Sequence, residues 1–278
     1  MKLKPWAKMP TAWIKADKLR EFRWQEDGSA STAALMLYFV FCQFAYERPL
    51  LPTEAQEPPP DPVDKAKAGA NTSLTFEPVI PFSRAVEETV KVAVEVDSES
   101  VPEVEVEDAL VVRLTYTELA SLTGLSRERI AAGLKKLVDK KIVWRLGGSG
   151  LYGLSGFKSG VRWAKLPGSA LTTPGGTSFT PFTHFTLRSR QELNALKLHL
   201  YYVYARDTNS PYCVASFETI SKHTGVPERE IPAANSLLLS STILVHIKQQ
   251  MSDDRKYYGP NLYYLNGYGG LFIEKKSA

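Results

Sequence analysis

Two stretches of the chain, near residues 31–46 and 190–206, predict helices that are apolar around most of their circumference, so that one face of each has to meet something beyond a single small core. A different pattern follows the first. Thr115 and Glu118 stand at the spacing of a capping box and predict a short helix over Tyr116–Leu122, after a short extended stretch at Arg113-Leu114. Thr123-Gly124-Leu125 breaks that helix, because Gly124 permits the backbone turn. Ser126 can then cap a second helix reaching about Lys140, with Ile130, Leu134, Leu137 and Val138 on one face. Ile142–Leu146 reads as a strand, Gly147–Gly150 as a turn and Leu151–Phe157 as a returning strand.

The same order of elements recurs later. Ser216 starts a helix to His223, Thr224-Gly225 makes the turn, and a second helix runs through Ile231 with Pro232 inside it. Ile243–Ile247 and Asn261–Leu265 are the paired strands, joined by a turn at Ser252–Lys256. Words of sequence repeat in step with the elements. Trp6-Ala7-Lys8-Met9-Pro10 returns as Trp163-Ala164-Lys165-Leu166-Pro167, Ala34-Leu35-Met36-Leu37 as Ala195-Leu196-Lys197-Leu198, and Thr123-Gly124-Leu125 as Thr224-Gly225-Val226. Three matches in one order point to an internal duplication. The domain boundaries that follow are 1–160 for the first unit and 161–278 for the second, with an insert in the first at about 47–110.

Charge separates the insert from the rest. The chain of 278 residues carries a formal net charge of +4, but Pro49–Leu110 holds 14 acidic and 4 basic residues, which leaves +14 on the remainder. Six prolines in Pro49–Pro62 read as an extended, solvated linker. Beyond them, Val90, Val92, Val94 and Val96, then Val104 and Val106, recur at a period of two that permits a hairpin within an otherwise disordered acidic loop.

A helix-turn-helix followed by a β-hairpin resembles the winged-helix fold. With Trp-Ala-Lys-Leu-Pro, the helix Leu187–Tyr204 and the run Ile220–Pro227, the chain resembles tandem winged-helix DNA-binding proteins of plasmids and integrative elements, replication initiators among them. The resemblance implies a mainly helical α+β protein of two winged-helix units that binds specific double-stranded DNA, most simply as the initiator of a plasmid or mobile element. A transcriptional regulator of such an element, and a winged-helix scaffold that binds proteins, are the alternatives.

Val111–Lys165 carries 11 basic and 3 acidic residues, against 11 and 8 from Leu166 to the end, so the first helix-turn-helix is the stronger DNA candidate. Its outward face holds Glu128, Arg129, Ala132, Lys135 and Lys136, with Arg127 near the helix start. Arg129 is the candidate for reading a base, since a guanidinium donates two hydrogen bonds to guanine. Lys135, Lys136, Lys140 and Lys141 suit phosphates, and Arg145, Lys158 and Arg162 place charge on or beside the wing. In the second unit the candidates are Lys222, Arg229, Arg255 and Lys256.

Other chemistries lack their residues. Gly148–Gly153 matches G-x-G-x-x-G without the helix and acidic residue a dinucleotide needs, and His184, His199, His223 and His246 are too scattered for a metal or a triad. No catalysis, cofactor or metal is expected. Cys42 and Cys213 form no disulfide framework, and neither a signal peptide nor a membrane span is evident, which suggests a cytoplasmic, nucleoid- or plasmid-associated protein. Tyr38, Phe39, Phe41 and Phe44, with Tyr201, Tyr202 and Tyr204, make the apolar helices candidates for contact between the units or for a homodimer interface.

Overall fold

The structure, a computed structural model, describes residues 5–50, 107–147, 150–157, 162–173, 178–251 and 258–269. The first half runs through strand β1 (Trp6–Pro10), short helices α1 (Ala12–Lys15) and α2 (Trp24–Asp27), and the long α3 (Ser29–Phe44). Strands β2 (Tyr46–Leu50) and β3 (Glu107–Arg113), helices α4 (Tyr116–Thr123) and α5 (Arg127–Asp139), and strands β4 (Val143–Arg145) and β5 (Leu151–Leu154) complete it. The second half holds β6 (Trp163–Pro167), α6 (Arg190–Ala205), β7 (Tyr212–Ala215), α7 (Phe217–Thr224), α8 (Ile231–Ser240), β8 (Leu244–Met251) and β9 (Tyr258–Leu265). The fold is mixed α+β, with helices packed on small antiparallel sheets.

The two halves solve the same local problems with the same bonds. Thr115 accepts from the backbone N–H of Glu118, whose carboxylate accepts from the Thr115 backbone, closing the capping box on α4. Ser216 caps α7 through the N–H of Thr219. At the turns, Gly124 and Gly225 take φ of 72° and 69°, values a glycine adopts without a Cβ penalty. The preceding threonines act alike: Thr123 donates to the Leu119 carbonyl at 2.6 Å, and Thr224 to that of Ile220 at 2.7 Å. The helices that follow also end alike. Lys141 and Thr242 sit at φ 54° and 60°, and the next N–H groups, of Ile142 and Ile243, reach back to Leu137 and Leu238 at 3.0 Å each.

Both sheets share an order. β3, β5 and β4 lie side by side, as do β7, β9 and β8, and β2 adds a fourth strand at the β3 edge. The repeated Trp-Ala-Lys words pair with each other: β1 runs antiparallel to β6 with Lys8 opposite Lys165, Trp6 opposite Pro167 and Pro10 opposite Trp163. That register is symmetric about the two lysines. Trp6 stacks on Trp163 at 5.5 Å, and each lysine lies over the other copy's indole, at 5.3 and 5.4 Å.

α3 and α6 pack on each other and anchor one hydrophobic core that draws on both halves. α3 is buried from Ser31 to Gln43. Two of its buried polar side chains bond to the β1 and β6 regions: Tyr38 donates to the Pro10 carbonyl at 3.0 Å and accepts from Trp13 at 2.8 Å, and the Gln43 amide N–H donates to the Pro167 carbonyl at 2.9 Å. α5 approaches α3 at Gly133, where a Cβ would lie 3.0 Å from the Ala34 nitrogen.

Several boundaries differ from those expected. The first and last residues of the anticipated insert, Tyr46–Leu50 and Glu107–Arg113, are paired strands, with Tyr46 opposite Val111 and Leu50 opposite Glu107. The alternating valines from Val90 to Val106 lie outside the described residues. Pro232 does not interrupt a helix: Glu228–Glu230 forms a 3₁₀ turn and α8 begins at Ile231, which puts Pro232 in the first turn, where a missing N–H costs nothing. Gly153, the last glycine of the dinucleotide-like pattern, lies in β5 under the Trp144 ring, which a Cβ would meet at 2.3 Å.

Candidate nucleic-acid interface

α5 is positioned by Ser126 at its start and by Ile130, Leu134 and Leu137, all fully buried. Arg127, Glu128, Ala131 and Lys135 are exposed on the opposite side, whereas Arg129, Ala132 and Lys136 are half-buried. The helix is therefore covered along one flank that the apolar spacing does not reveal. The cover is the stretch from the end of α1 through α2. Lys136 pairs with Asp27 at 2.5 Å and Lys140 with Glu21 at 3.0 Å, while Lys18 donates to the Lys140 carbonyl at 2.9 Å. Lys136 and Lys140 are thus held by carboxylates of their own chain, and Arg127 and Lys135 project freely into solvent. Arg129 keeps one guanidinium nitrogen buried with no hydrogen-bond partner among the described residues.

Lys141 is exposed at the helix end, and Arg145 is exposed on β4 opposite Tyr152. Arg162 is exposed before β6, its carbonyl accepting from Thr11 at 3.0 Å. In the second half Lys222 on α7 and Arg229 in the 3₁₀ turn are exposed. The solvent side of α8 itself, Pro232, Ala233, Ser236 and Leu239, carries no cation. Lys158, Arg255 and Lys256 lie outside the described residues.

The same N-terminal segment reaches the second half. Asp17 meets His223 of α7 at 2.9 Å, and the Phe22 carbonyl accepts from Lys197 of α6 at 3.2 Å. Arg20 lies against the turn at Gly225, where a Cβ would be 3.3 Å from its own. Arg190 at the start of α6 pairs with Glu230 at 3.1 Å, beside the entry to α8. Arg20, Arg23 and Arg190 are basic groups that sequence reasoning passed over. The density of Lys15, Lys18, Arg20 and Arg23 was the available signal.

The aromatic side chains of the apolar helices are used inside one chain. Tyr38, Phe39, Phe41, Tyr201 and Tyr202 are buried, Phe39 packs edge-on against Phe179 at 5.0 Å, and Tyr202 stacks on Tyr263 at 4.2 Å. These five rings therefore present no face to a second copy, and Phe44 and Tyr204, half-buried, pack against the same core. Burial also pushes the Cys42 thiol up, and that of Cys213 up to about 12, so both stay protonated at neutral pH. Among the described residues no group of His, Cys, Asp and Glu is arranged to hold a metal ion, and no helix is long and apolar enough to cross a membrane.

Compared with protein-family models, curated proteins and solved structures, the chain matches none of them.

Proposed function

We propose that the chain is a double-stranded DNA-binding protein built from two winged-helix units, and that it acts as the replication initiator of a plasmid or mobile element. The observation that carries the reading is the order helix, strand, helix, glycine turn, helix, strand, strand, which occurs as α3–β3–α4–α5–β4–β5, with β2 inserted between α3 and β3, and again as α6–β7–α7–α8–β8–β9, with the same order of the three shared strands in each sheet. In such a unit the helix after the turn is the one that enters a major groove. For α5 that places Arg127 and Lys135 toward the duplex, with Lys141 and Arg145 at the adjoining helix end and strand. In the second unit Lys222 and Arg229 flank an α8 without cations, so it is assigned the smaller share of base contacts.

Duplex binding by the full chain, followed by gel shift across a salt series, tests the reading. Affinity should fall linearly on a log–log plot, because each neutralised phosphate releases counterions. Arg127→Ala with Lys135→Ala should lower both affinity and slope. Salt-independent binding, or none, sinks the reading. Initiation is separated from regulation by a minimal replicon: an origin fragment should replicate only when the protein is supplied.

A further inference from the structure

Lys197 is a cation in a place the fold does not require to be charged. It is 3% exposed, and its one hydrogen bond among the described residues is to the Phe22 carbonyl. No carboxylate lies within ion-pair distance of it among the described residues. The repeated words put Met36 of α3 at the matching position, Ala34-Leu35-Met36-Leu37 against Ala195-Leu196-Lys197-Leu198, and Met36 is fully buried. An unbranched apolar side chain therefore meets the packing demand of that position. A buried ammonium is costly unless something compensates it, yet three arginines are among its neighbours. Arg20 and Arg23 flank Phe22 in sequence and are exposed, and Arg190 stands two turns before Lys197 on the same face of α6. Glu26 and Glu230 each hold one arginine of the group, Arg23 at 2.8 Å and Arg190 at 3.1 Å, and Arg20 has no acidic partner among the described residues. Burial, and then the charges of Arg190, Arg23 and Arg20, push the Lys197 ammonium down to about 7.

The position of this cluster suggests its ligand. The segment that carries Arg20 and Arg23 is pinned to α5 by Asp27 and Glu21 and to α7 by Asp17, so it spans from one helix-turn-helix pair to the other. We propose that Arg20, Arg23 and Arg190, grouped around the buried ammonium of Lys197, hold backbone phosphates of duplex DNA in the seam between the two helix-turn-helix pairs. The site deepens the DNA-binding reading and rests on it. It contributes affinity and fixes the duplex relative to both units, and it reads no bases.

The test is a salt titration of the full chain on a short duplex of mixed sequence. Three proteins are compared: wild type, the double variant Arg20→Ala with Arg23→Ala, and Lys197→Met, which installs the residue of the first copy. The exposed double variant should lose about two from the slope of log affinity against log salt. Lys197→Met should weaken binding about threefold to tenfold at low salt while melting at or above the wild-type temperature. If wild type binds and both variants keep its slope and affinity, the seam proposal is wrong and the DNA reading stands. If wild type binds no duplex at any salt, both fail. The double variant alters only exposed side chains, so its result decides the matter even if Lys197→Met changes stability.

Discussion

Lys136 is the residue whose role the sequence and the structure describe most differently, and removing it separates the two descriptions. On the helix pattern alone it is a phosphate contact. In the fold its ammonium sits 2.5 Å from the Asp27 carboxylate, with the two side chains 19% and 14% exposed. At an effective dielectric of about 20, charges about 3 Å apart attract by roughly 5 kcal/mol, most of which desolvation cancels. A charged hydrogen bond nets about 1.5–3 kcal/mol. Asp27 also accepts from Ser31 at 2.9 Å, so it is not left bare when Lys136 goes, which favours the lower part of that range. The expected coupling in a double-mutant cycle of Lys136→Met and Asp27→Asn is therefore about 1.5–2 kcal/mol. Urea unfolding of the four proteins reads it, and with a slope near ~3 kcal/mol per molar, Lys136→Met should lower the midpoint by about 0.5 M. A coupling below about 0.3 kcal/mol, together with a loss of salt-dependent DNA binding on Lys136→Met, would refute the assignment of Lys136 to the fold.

Tyr38→Phe should destabilise by about 2–4 kcal/mol, because it strands both the buried Pro10 carbonyl and the Trp13 N–H; a midpoint unchanged in urea would contradict the hydrogen bonds described. Thr242→Gly should stabilise by roughly 1 kcal/mol by relieving a β-branched residue at φ 60°, seen as a higher melting temperature, and a lower one would count against strain at that turn. His199 is fully buried with neither ring nitrogen bonded among the described residues, and burial holds its pKa down to about 4. The unfolded chain protonates this histidine below about 6.5 and the folded chain only near 4, so stability should drain away by about 3 kcal/mol as pH falls through that window and level off below it. Unfolding at neutral and acidic pH should show a shallower fall for His199→Leu than for wild type; equal falls would remove His199 as the source.

What was legible in the sequence was local. The Thr115–Glu118 box, the Ser126 and Ser216 caps and the two glycine turns need only side chains a few residues apart, and each stands where the spacing put it. The flank of α5 was not legible, since Asp27 and Lys136 are 109 residues apart and neither breaks the amphipathic pattern. Gly133 was another silent signal: the apolar count passed over a residue whose importance lies in the side chain it lacks. Pro232 misled because a proline at the start of a helix and one in its middle look alike until the preceding 3₁₀ turn is seen. The two aromatic helices were recognisable as needing cover beyond a single small core, and within one chain α3 finds it against α5, α6 and β1, and α6 against α8, α3 and α7.

The self-pairing of the Trp-Ala-Lys words has a kinetic and a genetic consequence. Two separate chains joined through such a symmetric ribbon would part on dilution; joined covalently, β1 and β6 meet by an intramolecular step whose equilibrium is indifferent to protein concentration. A symmetric pair of identical chains must also wear every substitution twice. One chain holding both copies is released from that, and Met36 in one with Lys197 in the other is a difference that only such a chain can keep.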